Sequence, residues 1–370
     1  MHRFSTLDEF PIHQIALPMA YTGTSDRNSY DRCIYQGIDR EGEINFITGL
    51  GVYPNLGTID AYFCVRIGDR QLVVRTSGAR PEDQMAQEVG PYRIEVIEPL
   101  HKVRVVLDAD EQGISADLTF TATVPVIPEP QHSRRLGDVV LLDAARFCSI
   151  GVWEGEIVVE GKSYQISPER FAATRDRSWG IRPVGEAVPA GRPQDFTGMW
   201  WYWMPMQFDD FAVHIILEED QFGVRSTNYA VRVWPENTGK PIEQLGWPIP
   251  KTEYLSGTRT PLRTEMELVG RDGTLHSLTA TPMTGIALNV GCGYGGDPDW
   301  SHGIWKGEAW VEGASYNYQD EAVSSRITYS IVDHFSECTF DGQRGYGIFE
   351  HGVIGPHAPT GFDDFFSLAP

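Results

Sequence analysis

Residues 114–124, ISADLTFTATV, alternate at every position between an apolar residue and Ser, Asp or Thr. Successive side chains of a β-strand point to opposite faces, so this period of two places all the apolar side chains on one face. In a helix the same residues would be scattered around the surface. The stretch therefore predicts a strand in a sheet with one buried face.

The same alternation recurs along most of the chain. Further strands are predicted at 62–67, 72–75, 92–97, 103–107, 213–217 and 229–233. Short turns that tolerate positive φ favour hairpins, and they occur at Gly68-Asp69, Asp272-Gly273 and Asp341-Gly342. Only residues 80–89 suggest a short helix, because Pro81 stands where a first turn would begin. The chain is predicted to be almost entirely β.

The composition excludes several classes of partner. The chain has 30 Lys and Arg against 51 Asp and Glu, and its net charge of −21 would repel nucleic acids and anionic membranes. No apolar run reaches the roughly 18 residues of a membrane span. Acidic residues and a proline interrupt the first 21 residues, unlike a signal peptide. Five scattered cysteines without a Cys-x-x-Cys pair predict reduced thiols, so we expect a cytoplasmic protein.

An internal repeat indicates two related halves. GVWEGEIVVEGKSYQI begins at Gly151, and GIWKGEAWVEGASYNY begins 152 residues later at Gly303. Aligned without gaps, the two segments share Gly, Trp, Gly, Glu, Val, Glu, Gly, Ser and Tyr. Each copy resembles a strand, a Glu-Gly turn and a return strand, and we expect each to close the sheet of its own domain. The alternative is a chance match of common hairpin residues.

The chain length of 370 residues is sufficient for two domains. Residues 184–197, VGEAVPAGRPQDFT, are rich in Gly and Pro and lack periodicity, as a linker would. We predict an N-terminal β domain at 1–186, a linker at 187–197 and a C-terminal β domain at 198–370. RDRSWGIR precedes this linker and MWWYWM follows it. The two segments should meet at the domain junction, a common place for a pocket.

These segments, together with GYGIFEHG at 345–352, carry a family resemblance over most of the chain. They resemble the tandem lipocalin-like superfamily of carotenoid hydratases, kievitone hydratase, fungal cyclases and AttH-like proteins. The resemblance implies an all-β fold of two tandem lipocalin-like antiparallel β-barrel domains. It also implies a hydrophobic small-molecule ligand, isoprenoid-like or polycyclic, that is hydrated, isomerised or cyclised without a cofactor. A monomer and a homodimer are both compatible with it.

The chain departs from the carotenoid hydratases at two positions. Their motif carries a His two residues before the Trp, and both are active-site residues; here the pair is Arg177 and Trp179. An arginine stays protonated and cannot shuttle a proton at neutral pH. A Tyr two residues before an acid aligns with Ile216 and Glu218, so the acid is kept and the Tyr is not. A shared pocket is still expected, with Arg177 orienting a substrate oxygen or carboxylate.

Strand geometry sorts the other candidates by face. His214 and Glu218 share a strand face about 13 Å apart, and one of them would handle the proton. An apolar site would raise the pKa of Glu218, although a solvated strand end is the alternative. Asp176 faces away from Arg177 and is interpreted as structural. The residues predicted to bind substrate are Trp179, Trp201, Trp203, Tyr202, Tyr346 and Glu350, with core packing as the alternative for the aromatic ones.

Two other motifs give no clear site. GCGYGG at 291–296 matches a dinucleotide-binding pattern, but no βαβ unit surrounds it. Asp297 and Asp299 could bind calcium or form a turn. No cofactor or metal is therefore predicted. Two other functions are left open, a non-catalytic carrier of a hydrophobic metabolite and a carbohydrate-processing β protein.

Overall fold

The computed structural model describes residues 9–11, 22–184 and 196–370. The part before Pro183 forms one large antiparallel sheet. Its strands are β1 (Ser29–Asp39), β2 (Asn45–Tyr53), β3 (Thr58–Ile67), β4 (Arg70–Ala79), β5 (Glu88–Val89), β6 (Tyr92–Glu98), β7 (Lys102–Ala109), β8 (Ile114–Ala122), β9 (Ile127–Pro128), β10 (His132–Leu136), β11 (Val139–Val159), β12 (Lys162–Ile166) and β13 (Phe171–Ile181). The strands predicted in this part lie within these elements, except that the predicted strand 114–124 extends two residues beyond the end of β8.

A second antiparallel sheet follows Gly198. The later strands are β14 (Met199–Gln207), β15 (Ala212–Glu219), β16 (Arg225–Val233), β17 (Glu243–Gln244), β18 (Ile249–Tyr254), β19 (Pro261–Val269), β20 (Leu275–Ala287), β21 (Trp310–Asn317), β22 (Val332–Phe340) and β23 (Gln343–Ile354). All except β21 belong to the second sheet, in the order β17-β16-β15-β14-β23-β22-β20-β19-β18. The first sheet has the order β21-β4-β3-β2-β1-β13-β11-β8-β7-β6-β5, with β9, β10 and β12 paired to β11.

The alternation in residues 114–124 predicted β8 correctly. Ile114, Ala116, Leu118 and Phe120 are all buried in the first sheet. The three predicted hairpin turns also join neighbouring strands, namely β3 to β4, β19 to β20 and β22 to β23. Local periodicity therefore located β8 because this strand has one apolar face to bury, whereas β3 and β4 are buried on both faces.

The predicted helix at 80–89 is wrong. The segment forms bends and turns, and its last two residues are strand β5. A single short helix needs an apolar face to pack, and the large apolar residue here, Met85, is 42% exposed. In the part of the chain that the structure describes, the one α-helix is α1 (Glu321–Ile327). No helix there has the length and apolar character needed to cross a membrane.

The second copy of the internal repeat has an unexpected position. The first copy forms the predicted hairpin of β11 and β12, with its turn at Glu160 and Gly161. The second copy supplies only β21, which pairs with β4 at the edge of the first sheet. The Gly303 amide donates to Asp60 at 2.7 Å, which holds the start of this segment against the first sheet. The prediction that each copy closes its own sheet is therefore wrong for the second copy.

The three largest apolar clusters of the described residues form most of the interior. One fills the first sheet around Trp153, and another fills the second sheet around Tyr202. The third lies between the sheets and includes Ile150 from the first and Trp203 from the second. The predicted linker falls mostly on residues 185–195, which lie outside the described residues, so the domain bounds stay a prediction. The intersheet cluster is the layer that contains the candidate site.

Candidate active site

A cavity of about 140 Å³ lies in the layer between the two sheets. We call it the junction cavity. Strands β1, β10, β11 and β13 border it from the first sheet, and β14 and β23 from the second. Its walls combine aromatic rings with ionisable groups, among them Tyr30, Tyr294, Trp201, Trp203, Asp176 and Glu350. This is the mixture of apolar surface and few polar groups that is typical of ligand sites.

Strand β14 gives the junction cavity its two indoles. Trp201 and Trp203 point between the sheets, whereas Trp200 and Tyr202 point into the core of the second sheet. The Trp201 ring is stacked on the His132 ring, with 5.3 Å between centroids and 5° between planes. The Trp203 indole N–H donates to Glu129 at 2.8 Å. Both indoles are thus held in fixed orientations at the cavity wall.

The face of strand β13 that lines the junction cavity carries Asp176, and not Arg177 and Trp179 as predicted. Asp176, which the sequence suggested was structural, lines the cavity. Arg177 points into the first sheet, where its guanidinium donates to Asp31 Oδ1 and to Gln87 Oε1, each at 3.0 Å. Trp179 packs edge to face on Phe147. The motif Arg and Trp therefore share a strand face, but that face is on the far side of the strand from the cavity.

Asp176 has an unusual protonation equilibrium for a carboxylic acid. Burial, reinforced by the negative charge of Glu129, raises its pKa to about 7, although Arg146, Arg182 and Arg32 favour the charged form. A group with this pKa holds and releases a proton at neutral pH, as a general acid or base must. Asp176 is therefore the titratable group of the junction cavity best suited to proton transfer near pH 7.

A second pair of carboxyl groups lies at the opposite wall. Glu350 and Asp333 are directly opposite each other on β23 and β22. Burial and the neighbouring Glu350 raise the pKa of Asp333 well above its ordinary value, which favours the protonated form of this carboxyl group. Gln36 donates to Asp333 Oδ2 at 3.0 Å, and Trp201 donates its indole N–H to Glu350. Glu350 therefore lies at the cavity surface, with Asp333 beside it on the neighbouring strand.

His214 belongs to a buried network behind Trp203. Its Nε2 lies 2.9 Å from Glu129 Oε1, and Arg146 forms an ion pair of 3.0 Å with the other oxygen of that carboxylate. Burial alone would raise the pKa of Glu129, but the charge of Arg146 and the hydrogen bond with His214 lower it to about 2. This network orients Trp203 and keeps one fixed negative charge next to the cavity.

The same network contains residue types that can bind a metal. Glu129, Cys148 and His214 offer ligand atoms within 4.8 Å of one another. However, both oxygens of Glu129 already have cationic or N–H partners, and burial raises the pKa of the Cys148 thiol well above its usual value. A neutral thiol and an adjacent guanidinium are poor surroundings for a cation. These residues fit a hydrogen-bonded ion pair better than a metal centre.

Glu218 was expected to have a raised pKa, but in the structure its pKa is lowered. Its carboxylate binds His132 Nε2 at 2.8 Å and Arg134 at 3.1 Å. Burial opposes ionisation, but these two partners lower the pKa of Glu218, so the predicted rise is wrong. Arg146 donates to the other ring nitrogen of His132 at 3.1 Å, and a guanidinium can only donate. His132 therefore carries its proton on Nε2 and links Glu218 to the stacked Trp201.

The nine residues predicted for the site therefore divide into two groups. Those that line the junction cavity are Trp201, Trp203 and Glu350. The others lie elsewhere, although two of them, His214 and Glu218, contact residues next to it. Tyr346 is flanked by the guanidinium groups of Arg40 and Arg344. The sequence did not single out Asp333 or Gln36, and the mixed composition of β22, VDHFSECTF, gave no local signal for Asp333.

Replacing Glu218 by glutamine should affect stability more than acid–base chemistry. The change leaves His132 and Arg134 without their charged partner, so we expect the free energy of unfolding to fall by about 1–3 kcal/mol. Urea unfolding measures this loss. Glu337→Gln, in the exposed pair with Arg344, is the control and should change little. A Glu218→Gln variant as stable as the native protein would contradict the proposed structural role.

The fold places the protein in a structural class. Its described residues superpose on a protein assigned as AttH from Nitrosomonas europaea with a TM-score of 0.52 at 14% identity, over 92% of this chain and 98% of that one. CghA, crystallised with Sch210972, gives a TM-score of 0.52 at 11% identity over 90% and 89%. Kievitone hydratase from Nectria haematococca gives 0.49 at 14% over 87% and 88%. The predicted tandem lipocalin-like all-β fold is confirmed.

The sequence also defines a family. Residues 4–363 match the family described as "Family of unknown function (DUF8625)", and the chain belongs to it. None of the curated protein sequences matches the chain significantly. At 11–14% identity the solved structures share the fold with this chain, so the argument for activity comes from the junction cavity itself.

Proposed function

We propose that the protein is a cofactor-independent enzyme that hydrates, isomerises or cyclises an unsaturated small molecule in the junction cavity. The observation that carries this proposal is Asp176, a carboxyl group with a pKa of about 7 in a cavity walled by two indoles. Such perturbed acids are concentrated at functional sites. The fold neighbour CghA has been crystallised with the compound Sch210972, which supports a small-molecule ligand.

The proposed reaction begins with proton transfer from Asp176 to one carbon of a substrate double bond. The faces of Trp201 and Trp203 would stabilise the positive charge that develops on the other carbon. In hydration, a water oxygen adds to that carbon and its proton passes to Glu350, so the net change is addition of one water. In isomerisation, a different proton leaves the substrate instead. Asp333, directly opposite Glu350 on the neighbouring strand, has a raised pKa and so adds little negative charge beside it.

The cavity volume bears on the substrate class. Cavities of about 150 Å³ hold a molecule the size of benzene. The junction cavity, at about 140 Å³, therefore suits one ring or a short branched chain better than the long isoprenoid or polycyclic ligand that the family resemblance implies. We propose that the reacting portion of the substrate is of this size.

The remaining candidates take indirect roles in this proposal. Glu218 positions Trp201 through His132, and His214 positions Trp203 through Glu129. Arg177 holds β13 against β1 through Asp31, which places Asp176 on the cavity side. These three are positioning residues, because the contacts described above join them to protein groups and not to the cavity.

Isotope labelling tests the proposed activity even while the substrate is unidentified. A metabolite extract is incubated with the protein in water enriched in ²H and ¹⁸O, with Asp176→Asn as the matched control. Hydration adds one ¹⁸O and one ²H to a product, whereas isomerisation adds ²H alone. Cyclisation gives an isomer with a new retention time. If the native protein and Asp176→Asn leave identical metabolite profiles, the enzyme proposal loses its basis.

A carrier of a hydrophobic metabolite is the second candidate. It is favoured by the replacement of the family His by Arg177, whose guanidinium is engaged by Asp31 and Gln87. Native mass spectrometry of gently purified protein distinguishes the two functions. A carrier should retain a bound compound unchanged on incubation, while an enzyme should convert it.

A further inference from the structure

A second cavity lies next to the junction cavity and contains a buried arginine without a carboxylate partner among the described residues. Arg32 is only 4% exposed. Its guanidinium lies over Tyr294 at 4.9 Å and over Tyr30 at 5.4 Å, and Nη2 lies 3.4 Å from the Tyr294 hydroxyl. Within residues 9–11, 22–184 and 196–370, its buried Nε has no hydrogen-bond partner and no carboxylate forms an ion pair with it. Such isolation is unusual for a buried cation.

The second cavity, which we call the Arg32 cavity, has a volume of about 250 Å³. Arg182 adds another guanidinium, which lies 5.6 Å from the centre of the Tyr294 ring. Tyr294 and Arg182 also line the junction cavity, so the two spaces share a wall. On β1, Gln36 and Ile34 line the junction cavity and Arg32 comes next on the same face, about 7 Å further along.

The glycine-rich segment GCGYGG forms one wall of the Arg32 cavity. Gly293 and Gly295 line it, and both have positive φ, 83° and 81°. A Cβ on Gly293 would lie 2.9 Å from His302 and from Trp300, so only glycine lets the loop approach them this closely. The motif that resembled a dinucleotide site therefore shapes this cavity.

The charges around the Arg32 cavity leave an excess of positive charge. Asp60 is occupied by the Tyr53 hydroxyl at 3.1 Å, the Gly303 amide at 2.7 Å and His302 Nδ1 at 3.3 Å. Burial and the neighbouring Arg32 charge lower the pKa of His302 to about 4, so it is neutral at pH 7. Its buried Nε2 has no hydrogen-bond partner in the part of the chain that the structure describes. Two guanidiniums thus face one satisfied carboxylate, Asp60, and the titrating Asp176.

We propose that the Arg32 cavity binds the carboxylate of a small organic acid, whose apolar part extends past Tyr294 into the junction cavity. Paired guanidiniums match a carboxylate in charge and hydrogen-bond geometry. An excess of at most one positive charge suits a monoanion better than a phosphate dianion, because Asp60 and ionised Asp176 would repel the dianion more strongly. The identity of this acid as substrate rests on the proposed function, whereas its binding does not.

Calorimetric titration with benzoate, benzamide and inorganic phosphate tests the proposal. Benzoate should bind, its neutral isostere benzamide should bind at least about tenfold more weakly, and phosphate should also bind more weakly than benzoate. Arg32→Gln should weaken benzoate binding by about 10- to 100-fold. Arg182→Gln should also weaken benzoate binding. Because Arg182 is partly exposed, this variant still tests the proposal if Arg32→Gln does not fold. Arg66→Gln, which removes a similarly buried arginine from another cavity, should bind benzoate normally.

The titration separates this proposal from the proposed enzyme function. Asp176→Asn should lose turnover but retain benzoate binding, because binding needs only the arginines. Equal affinity for benzoate and benzamide, tighter binding of phosphate, or unchanged benzoate affinity in both Arg32→Gln and Arg182→Gln would each overturn the carboxylate site. Loss of benzoate binding in Arg66→Gln alone would place the binding site in the cavity lined by Arg66 and reject the Arg32 cavity. Failure of the native protein to bind benzoate would also reject the proposal.

Discussion

Asp176→Asn is expected to lower turnover by about 100- to 10,000-fold while preserving the fold. Asparagine has nearly the same shape as aspartic acid but has no transferable acidic proton. With Asp176 acting as the acid, native activity should fall as the pH rises through about 7, the pKa of this group. The variant should lack that fall. Rate measurements from pH 5 to 9, on the compound found by isotope labelling, test both statements.

The same substitution should change the pH dependence of stability. The folded-state pKa of Asp176 lies above that of an unfolded aspartate, about 3.9, so the folded protein holds an extra proton between those values. Stability from this group is present at low pH and is lost as the pH rises from about 4 to about 7. Asp176→Asn should therefore gain stability relative to the native protein over that range. Asp209→Asn, on an exposed turn, is the control.

Glu9→Ala is expected to lower the free energy of unfolding by about 3–5 kcal/mol. Glu9 and Arg175 are both fully buried, and a guanidinium nitrogen of Arg175 lies 3.0 Å from the Glu9 carboxylate. The same carboxylate accepts the Leu100 amide at 2.8 Å. Removing it leaves an uncompensated positive charge inside the first sheet. Chemical unfolding monitored by tryptophan fluorescence measures the loss.

An exposed ion pair of the same residue types provides the control. Arg70 and Glu160 form two hydrogen bonds, but their side chains are about half exposed. Glu160→Ala should therefore leave the free energy of unfolding almost unchanged. If Glu9→Ala were as stable as Glu160→Ala, the buried pair would have no structural importance. The physical difference is that solvent screens the charges of the exposed Arg70–Glu160 pair but not those of the buried Glu9–Arg175 pair.

Strand positions could be predicted from the sequence, whereas the site could be predicted only in part. The alternation that defines β8 is local, because each strand must bury one face whatever its partners are. The cavity face of β13 depends on which side the second sheet covers, so the sequence could not distinguish Asp176 from Arg177. Asp333 and Gln36 meet across 297 residues of chain. No local pattern contains that contact.

The failed predictions have a similar cause. The 80–89 segment contains residues that start a helix, but Met85 stays 42% exposed, so tertiary packing does not bury the apolar face that a short helix needs. The pKa of Glu218 was expected to rise by burial, but His132 and Arg134 come from a strand more than 80 residues earlier and reverse the shift. Local propensity and composition describe single residues, whereas helix formation at 80–89 and the pKa of Glu218 depend on contacts with residues that are distant in sequence.

The position of β21 bears on how the chain folds during synthesis. This strand completes the first sheet, and Arg75 and Glu312, which join it to β4, are 237 residues apart in sequence. During synthesis, the edge of β4 cannot pair with β21 until the ribosome has made most of the second half of the chain. Open edges invite pairing with other chains. The first sheet can therefore be completed only after β21, from the second copy of the repeat, has been synthesised.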